Sequence, residues 1–322
     1  MDLRPVEWLA TIEGEYLRDF IPAGGAAVKF AVVPTPETND AARTALVQAA
    51  RRAGSEVAIV DAAATKIHMM DQLFFAVARQ LDWDELARCV VGRLVQRQGF
   101  RVPEGPDALD YRAIAEANRY DEGELRRDVR LLLTEHVFRD FAMAQEFRIA
   151  MVRLCQAQLD PSESVQTEAD AIRAWLRGEL RLISALKPTL IFQRIARHNA
   201  RDMFLSLAHW LRLAGRQGLV LVLDITRYTV DRRQADGTLY HTTTATMDAY
   251  EVLRQFIDAT DELEACFIAV IAPTAFLEDQ KRGLQRYDPL KLRIWDEVHD
   301  RHRANPLSAL VRLRAEEART GG

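Results

Sequence analysis

KFAVVPTPETNDAARTAL, residues 29–46, decides how the chain is read. The β-prone run KFAVV enters a short polar loop, PTPET, and a helical pattern starts at Asn39 or Asp40, either of which can act as N-cap. Strand, loop, helix is the plan on which nucleotide-binding proteins seat a phosphate, because free backbone amides at the helix start face the anion. Yet this loop has no glycine and no Gly-Lys-Ser/Thr.

Working outward, the pattern remains that of an α/β protein. Residues 6–21 place Trp8, Leu9, Ile12, Tyr16 and Leu17 on one helical face ahead of AAVKFAVV (26–33). SEVAIVDA (55–62) reads as a second buried strand, and the helix between the two predicts a parallel βαβ unit with a right-handed crossover. LVLVLD (219–224) and CFIAVIAP (266–273) read as strands three and four. Between the second and third, residues 84–167 are expected to form a helical insertion. The α/β domain is expected to comprise 1–83 and 168–322, with a helical C-terminal region from about 281 that includes LSALVRLRAEEAR. The Asp-Gly pair at 236–237 predicts a β-hairpin over 228–243.

The totals narrow the function. A chain of 322 residues, 48% hydrophobic and 28% charged with net charge −4, has the composition of a soluble folded protein and no global attraction for nucleic acid. Its three cysteines, Cys89, Cys155 and Cys266, form no CxxC pair and read as small buried residues in a reducing cytoplasm. No signal peptide or membrane-length apolar run is visible, so a cytoplasmic protein without membrane contact is expected.

A P-loop ATPase needs several inward-pointing amides, a lysine for the terminal phosphates, and a strand-end Asp that steadies magnesium. Asp224, closing LVLVLD, fits the Asp position, but Ile225 stands where the water-activating Glu would be. Pro34 and Pro36 each delete an amide, and Glu37 and Asp40 put carboxylates near the helix N-terminus where phosphate would sit. GGAAVK (24–29) precedes its strand and so lies at the wrong end. Lys66, after the second strand, and Thr274, after the fourth, complete the candidate nucleotide-contacting set with Asp224. His299 and His302 near Asp296 have no second ligand pair and read as a solvated helix; no metal site is expected. KRGLQRYDPLKLRIWDEVHDRHR (281–303) carries seven Lys/Arg against four Asp/Glu. Arg282, Arg286, Arg293, Arg301 and Arg303 are its candidate contacts to a partner or nucleic acid, and RIARHNARDMF (194–204) is a lesser basic stretch of the same kind.

Three segments carry a family likeness. HNARDMFLSLAHWLRLAGRQGLVLVLDI, MDAYEVLRQFIDATDELEACFIAVIAP and RGLQRYDPLKLRIWDEVHDRHRANPLSALVRL resemble the P-loop ATP-binding proteins of bacterial phage-resistance loci of the BREX type, and WLATIEGEYLRDFIPAGGAAVKF fits their opening helix and first strand. The resemblance implies a P-loop NTPase (AAA-like) three-layer core with a parallel sheet, in a defence system that includes helicases, methyltransferases or nucleases. Against that pattern, Pro34 to Asp40 replace the glycine-rich loop. The expectation is a degenerate member: a noncatalytic scaffold or regulator that assembles with itself or with a helicase, nuclease or methyltransferase, with no cofactor assigned. The alternatives are an ATP/Mg2+ switch using Asp224 and a DNA-binding module using the basic C-terminal stretch.

Overall fold

The computed structural model describes residues 2–103, 109–295 and 305–315. The chain divides into two compact units, Met1–Val77 with Arg216–Gly322, and Ala78–Gly215.

The first unit is built on a parallel sheet. Helix α1 (Pro5–Thr11) runs into a π-helical stretch, Ile12–Phe20, whose wider turn keeps Trp8, Ile12 and Leu17 buried together. Strand β1 (Ala26–Val33) follows, then α2 (Pro36–Arg52) and β2 (Glu56–Asp61). After α3 (Met70–Ala78) the chain enters the second unit and returns as β3 (Leu219–Asp224). Helix α10 (Thr243–Asp258), β4 (Cys266–Pro273), α11 (Ala275–Glu278), α12 (Asp288–Ile294) and β5 (Leu310–Arg312) complete it. The strand order is β2-β3-β4-β1-β5, and every pairing is parallel.

Side chains alternate across the sheet. Ala31, Val33, Val220, Val222, Phe267 and Ile271 pack against the apolar stripes of α1, the π-helix and α2. On the opposite face Phe30 stacks on Phe276 at 6.1 Å, and Tyr250 of α10 meets Phe276 edge-on at 5.5 Å. Burial on both faces explains why the inner strands read as continuous apolar runs. Gly218 admits β3 to this sheet: at φ +156°, a Cβ there would lie 2.4 Å from the Ala265 carbonyl oxygen.

The second unit is helical: α4 (Trp83–Arg97), α5 (Tyr111–Asn118), α6 (Glu122–Leu133), α7 (Gln145–Ala157), α8 (Glu163–Leu176) and α9 (Ala200–Leu213). Asp82, Asp110 and Asp121 cap α4, α5 and α6 by accepting from backbone amides of their first turns. Trp83 and Phe147 meet edge-on in its core at 6.2 Å.

Three expectations are corrected. Helix α2 begins at Pro36 rather than Asn39, because Thr35 caps it and proline at the first helical position loses no intrahelical bond. Residues 228–243 form no hairpin; Gly237 does turn, at φ +76°, but the loop is wound around buried arginines instead of a strand ladder. LSALVRL is not helical: Leu310–Arg312 pairs with the free edge of β1, and Leu3 bridges Leu313 beyond it. Both ladders join residues far apart in sequence, which local helical patterning cannot register.

Candidate functional site

In a parallel sheet, ligands bind at the carboxyl ends of the strands, where crossovers leave for opposite faces. Here α2 leaves β1 towards one face while α10 packs on the other. The carboxyl ends of β1, β3 and β4 therefore define the place to look, and the loop Pro34–Thr35, Asp224 and Thr274 all stand there.

Most polar groups at this end have an internal partner, the buried Asn39 Oδ1 being an exception. Thr35 Oγ1 accepts from the Thr38 amide at 3.2 Å, and the Asn39 amide donates to the Thr35 carbonyl at 3.1 Å. Glu37 bonds its own backbone amide, and that bond, with the Thr35 hydroxyl, holds its carboxyl below the usual range. A carboxylate thus sits on the positive end of α2, where a phosphate would be. Asp224 is 3% exposed. Its Oδ2 accepts from Asn39 Nδ2 at 2.7 Å with Arg43 Nη1 at 3.7 Å, while Oδ1 accepts from the Thr226 amide at 2.9 Å and the Thr226 hydroxyl at 2.6 Å. Asp61 is its register neighbour on β2, and burial, with the Asp224 charge beside it, raises the Asp61 carboxyl above its ordinary value.

The 226–241 loop closes over the ends of β2 and β3. Arg227 holds it from within, donating to the Leu239 carbonyl (2.9 Å) and Gln234 (2.6 Å) and pairing with Asp236. Arg282, 3% exposed, donates to the His241 carbonyl (2.7 Å), the Tyr240 hydroxyl (2.8 Å) and Asp231 (3.1 Å). His241 stacks on Tyr228 at 4.1 Å and its Nε2 meets the Ala62 carbonyl at 2.7 Å; burial lowers its pKa.

Of the expected nucleotide residues, Asp224 is buried and engaged, Lys66 is exposed on the loop after β2, and Thr274 is half-buried just before α11, making no side-chain cap. Among the expected contact arginines, Arg282 is structural: its guanidinium is consumed inside the fold and offers nothing to a partner. Arg293 pairs with Asp258 at 3.0 Å, Arg286 is exposed, and Arg301 and Arg303 lie outside the described residues, as do His299 and His302. Sequence reasoning missed Asn39, Arg43 and Thr226 as the groups that engage Asp224. The Thr35-Pro36 pair was the available signal: it moves the cap upstream and frees Asn39 for a tertiary contact.

Donor by donor, these residues do not fit a magnesium nucleotide. Pro34 and Pro36 carry no amide, the Thr38 and Asn39 amides are already bonded, and the carboxylate that would hold the metal is 3% exposed and accepts three internal hydrogen bonds. Among the described residues no three His, Cys, Asp or Glu converge as a metal site, and no helix is long and apolar enough to cross a membrane.

The five-stranded parallel sheet of the α/β unit is compatible with a P-loop-like core. The model of the BREX system ATP-binding protein BrxC/D family matches residues 107–319, well over half of the sequence, and the chain belongs to that family. It is thereby a component of BREX antiphage defence. The match covers β3, β4 and the helical unit from α5 onward, and starts after the β1–α2 loop. No curated protein and no solved structure matches.

Proposed function

We propose that the chain is a noncatalytic scaffold or regulator of its defence system, built on a P-loop-type core whose nucleotide site has been filled by its own side chains. The observation that carries this reading is the Asn39–Asp224–Thr226 cluster, which satisfies the strand-end carboxylate internally. The Glu37 carboxylate at the start of α2 supports it, since a triphosphate there would meet like charge. The chain's work is then assembly with other proteins of the system, a helicase, nuclease or methyltransferase among them, or with further copies of itself.

Calorimetric titration with ATP and Mg2+ tests the reading. No saturable heat at millimolar nucleotide is expected. Magnesium-dependent binding that disappears in Asp224→Ala would sink the scaffold reading in favour of an ATP switch. That second reading has one observation in its favour: Asp224 stands at the carboxyl end of an inner parallel strand, where a magnesium-holding acid belongs. The DNA-binding reading has less support in the described part of the C-terminal stretch, where Arg282 is buried and Arg293 is ion-paired and Arg286 alone of the candidate arginines stays exposed without an ion pair.

A further inference from the structure

Two features of the helical unit have no part in the sheet-end site. The first is apolar. Of the eleven large apolar side chains left exposed among the described residues, Leu131, Phe138, Phe141, Leu182, Leu190 and Phe192 all fall within residues 131–192. Exposed apolar groups scattered singly need no explanation, but a concentration marks a contact surface. Phe138, Leu190 and Phe192, 43%, 60% and 64% exposed, line a single cavity of about 830 Å³. Ile149 and Val152 of α7 and Val165 of α8 give it an aliphatic lining. Leu190 is held there at φ +66°, a left-handed conformation unfavourable for leucine, between the fully buried Leu186 and Ile191.

The second feature is charge. Arg126 in the cavity is neutralised by Glu122 and Asp160. Arg130 and Arg153 are not: Arg153 reaches only the Gln156 amide oxygen, at 3.3 Å, and the Arg130 guanidinium has no partner among the described residues. Glu146 is the remaining acid in the lining. Residues 177–197, which contribute Leu190 and Phe192, carry Arg177, Arg181, Lys187, Arg194 and Arg197 against Glu179, in a chain of net charge −4.

The lining and the rim select the occupant. The aliphatic part of the lining, Ile149, Val152, Val165 and Leu190, takes the apolar side chains of a helix at i, i+3, i+4 and i+7, and although Phe138 and Phe192 also line it, a single cavity is not the continuous track along which successive nucleic-acid bases stack. Unbalanced arginines at the rim favour acidic residues flanking that apolar stripe. The geometry points to this groove as the docking site for an acidic amphipathic helix of a partner protein. The assignment draws its biological sense from the scaffold reading, but its test involves the groove alone: nucleotide binding at Asp224 can succeed or fail without changing it.

The experiment uses the full chain and a displayed library of helical 16-mers. Leu is fixed at i, i+3, i+4 and i+7, and Glu, Lys, Gln or Ala is allowed elsewhere. Selection is expected to enrich Glu beside the Leu stripe. Synthetic winners should bind at least tenfold more weakly, by fluorescence anisotropy, to Phe192→Ala, an exposed position whose truncation leaves the core intact. Arg130→Glu with Arg153→Glu should turn the selected charge from Glu to Lys. Failure to enrich any sequence, or enrichment with no charge preference that the reversal moves, would overturn the proposal. Displacement of the winners by equimolar oligo-dT would make the groove a nucleic-acid site, and displacement by untagged protein would make it a self-association site; either also overturns it.

Discussion

The carboxyl end of the sheet and the groove of the helical unit treat their polar and apolar groups in opposite ways. At the sheet end the buried carboxylate and guanidinium are bonded to the protein itself: Asp224 to Asn39 and Thr226, Arg282 to His241 and Tyr240. In the groove, Phe192 and Leu190 stay exposed and Arg130 is left unpaired. A position that looks like a site by topology is thus satisfied internally, while one with no motif retains unsatisfied surface. Binding needs differential free energy, and groups already bonded within the fold have little to offer a ligand.

Breaking the sealed end should cost stability rather than ligand affinity. Arg282→Ala has the largest expected effect, a loss of about 3 kcal/mol, because it strands buried carbonyls and releases the 226–241 loop. Urea denaturation followed by circular dichroism measures it, and a loss below about 1 kcal/mol would mean that the loop is held by something else. Asp224→Ala should cost about 2 kcal/mol by leaving the Asn39 amide without its acceptor, with no change in ATP titration. Thr35→Ala removes the cap of α2 and should cost about 1 kcal/mol in the same assay.

The open region should behave in reverse. Leu190→Gly relieves the left-handed backbone and is expected to raise stability by about 0.5–1 kcal/mol, since glycine takes that conformation freely. The same change should weaken the selected acidic peptide, so that stability and binding move in opposite directions. A stability loss there would show that the leucine side chain is part of the core.

The smallest effect concerns pH, at a surface network in the first unit. Hydrogen bonds from Arg254, then Tyr287 and Gln255, hold the Glu251 carboxyl at about 2 against an ordinary 4.5. A depressed carboxylate contributes stability that is fully present above about 4.5 and is lost as pH falls towards 2. Melting temperatures at pH 5 and pH 3 should therefore converge in Glu251→Gln relative to the parent. The side chain is 33% exposed, and solvent screening keeps the difference modest.

The inner sheet was legible because burial on both faces writes itself into sequence as LVLVLD and CFIAVIAP, runs that need no neighbour to be recognised. The edge strand Leu310–Arg312 was not, since three residues with helix-forming neighbours become a strand only beside β1. The loop at 228–243 shows the same limit: its Asp-Gly turn was visible, but the buried Arg227 and Arg282 that organise it donate across 12 and 41 residues of sequence. At the candidate site, the missing glycines and the strand-end Asp224 could be read directly. Its engagement by Asn39, 185 residues away, could not.

Sequence alone thus determined the α/β class, the inner strands, the family likeness and the lack of a glycine-rich loop after the first strand, because each is a local pattern of residue types. Tertiary structure alone decided which strand borders β1, that Arg282 is internal, that Asp224 is already satisfied, and where apolar surface stays open. Those outcomes depend on pairings between distant residues, and a hydrogen-bond donor carries no mark in sequence of the acceptor that folding will bring to it.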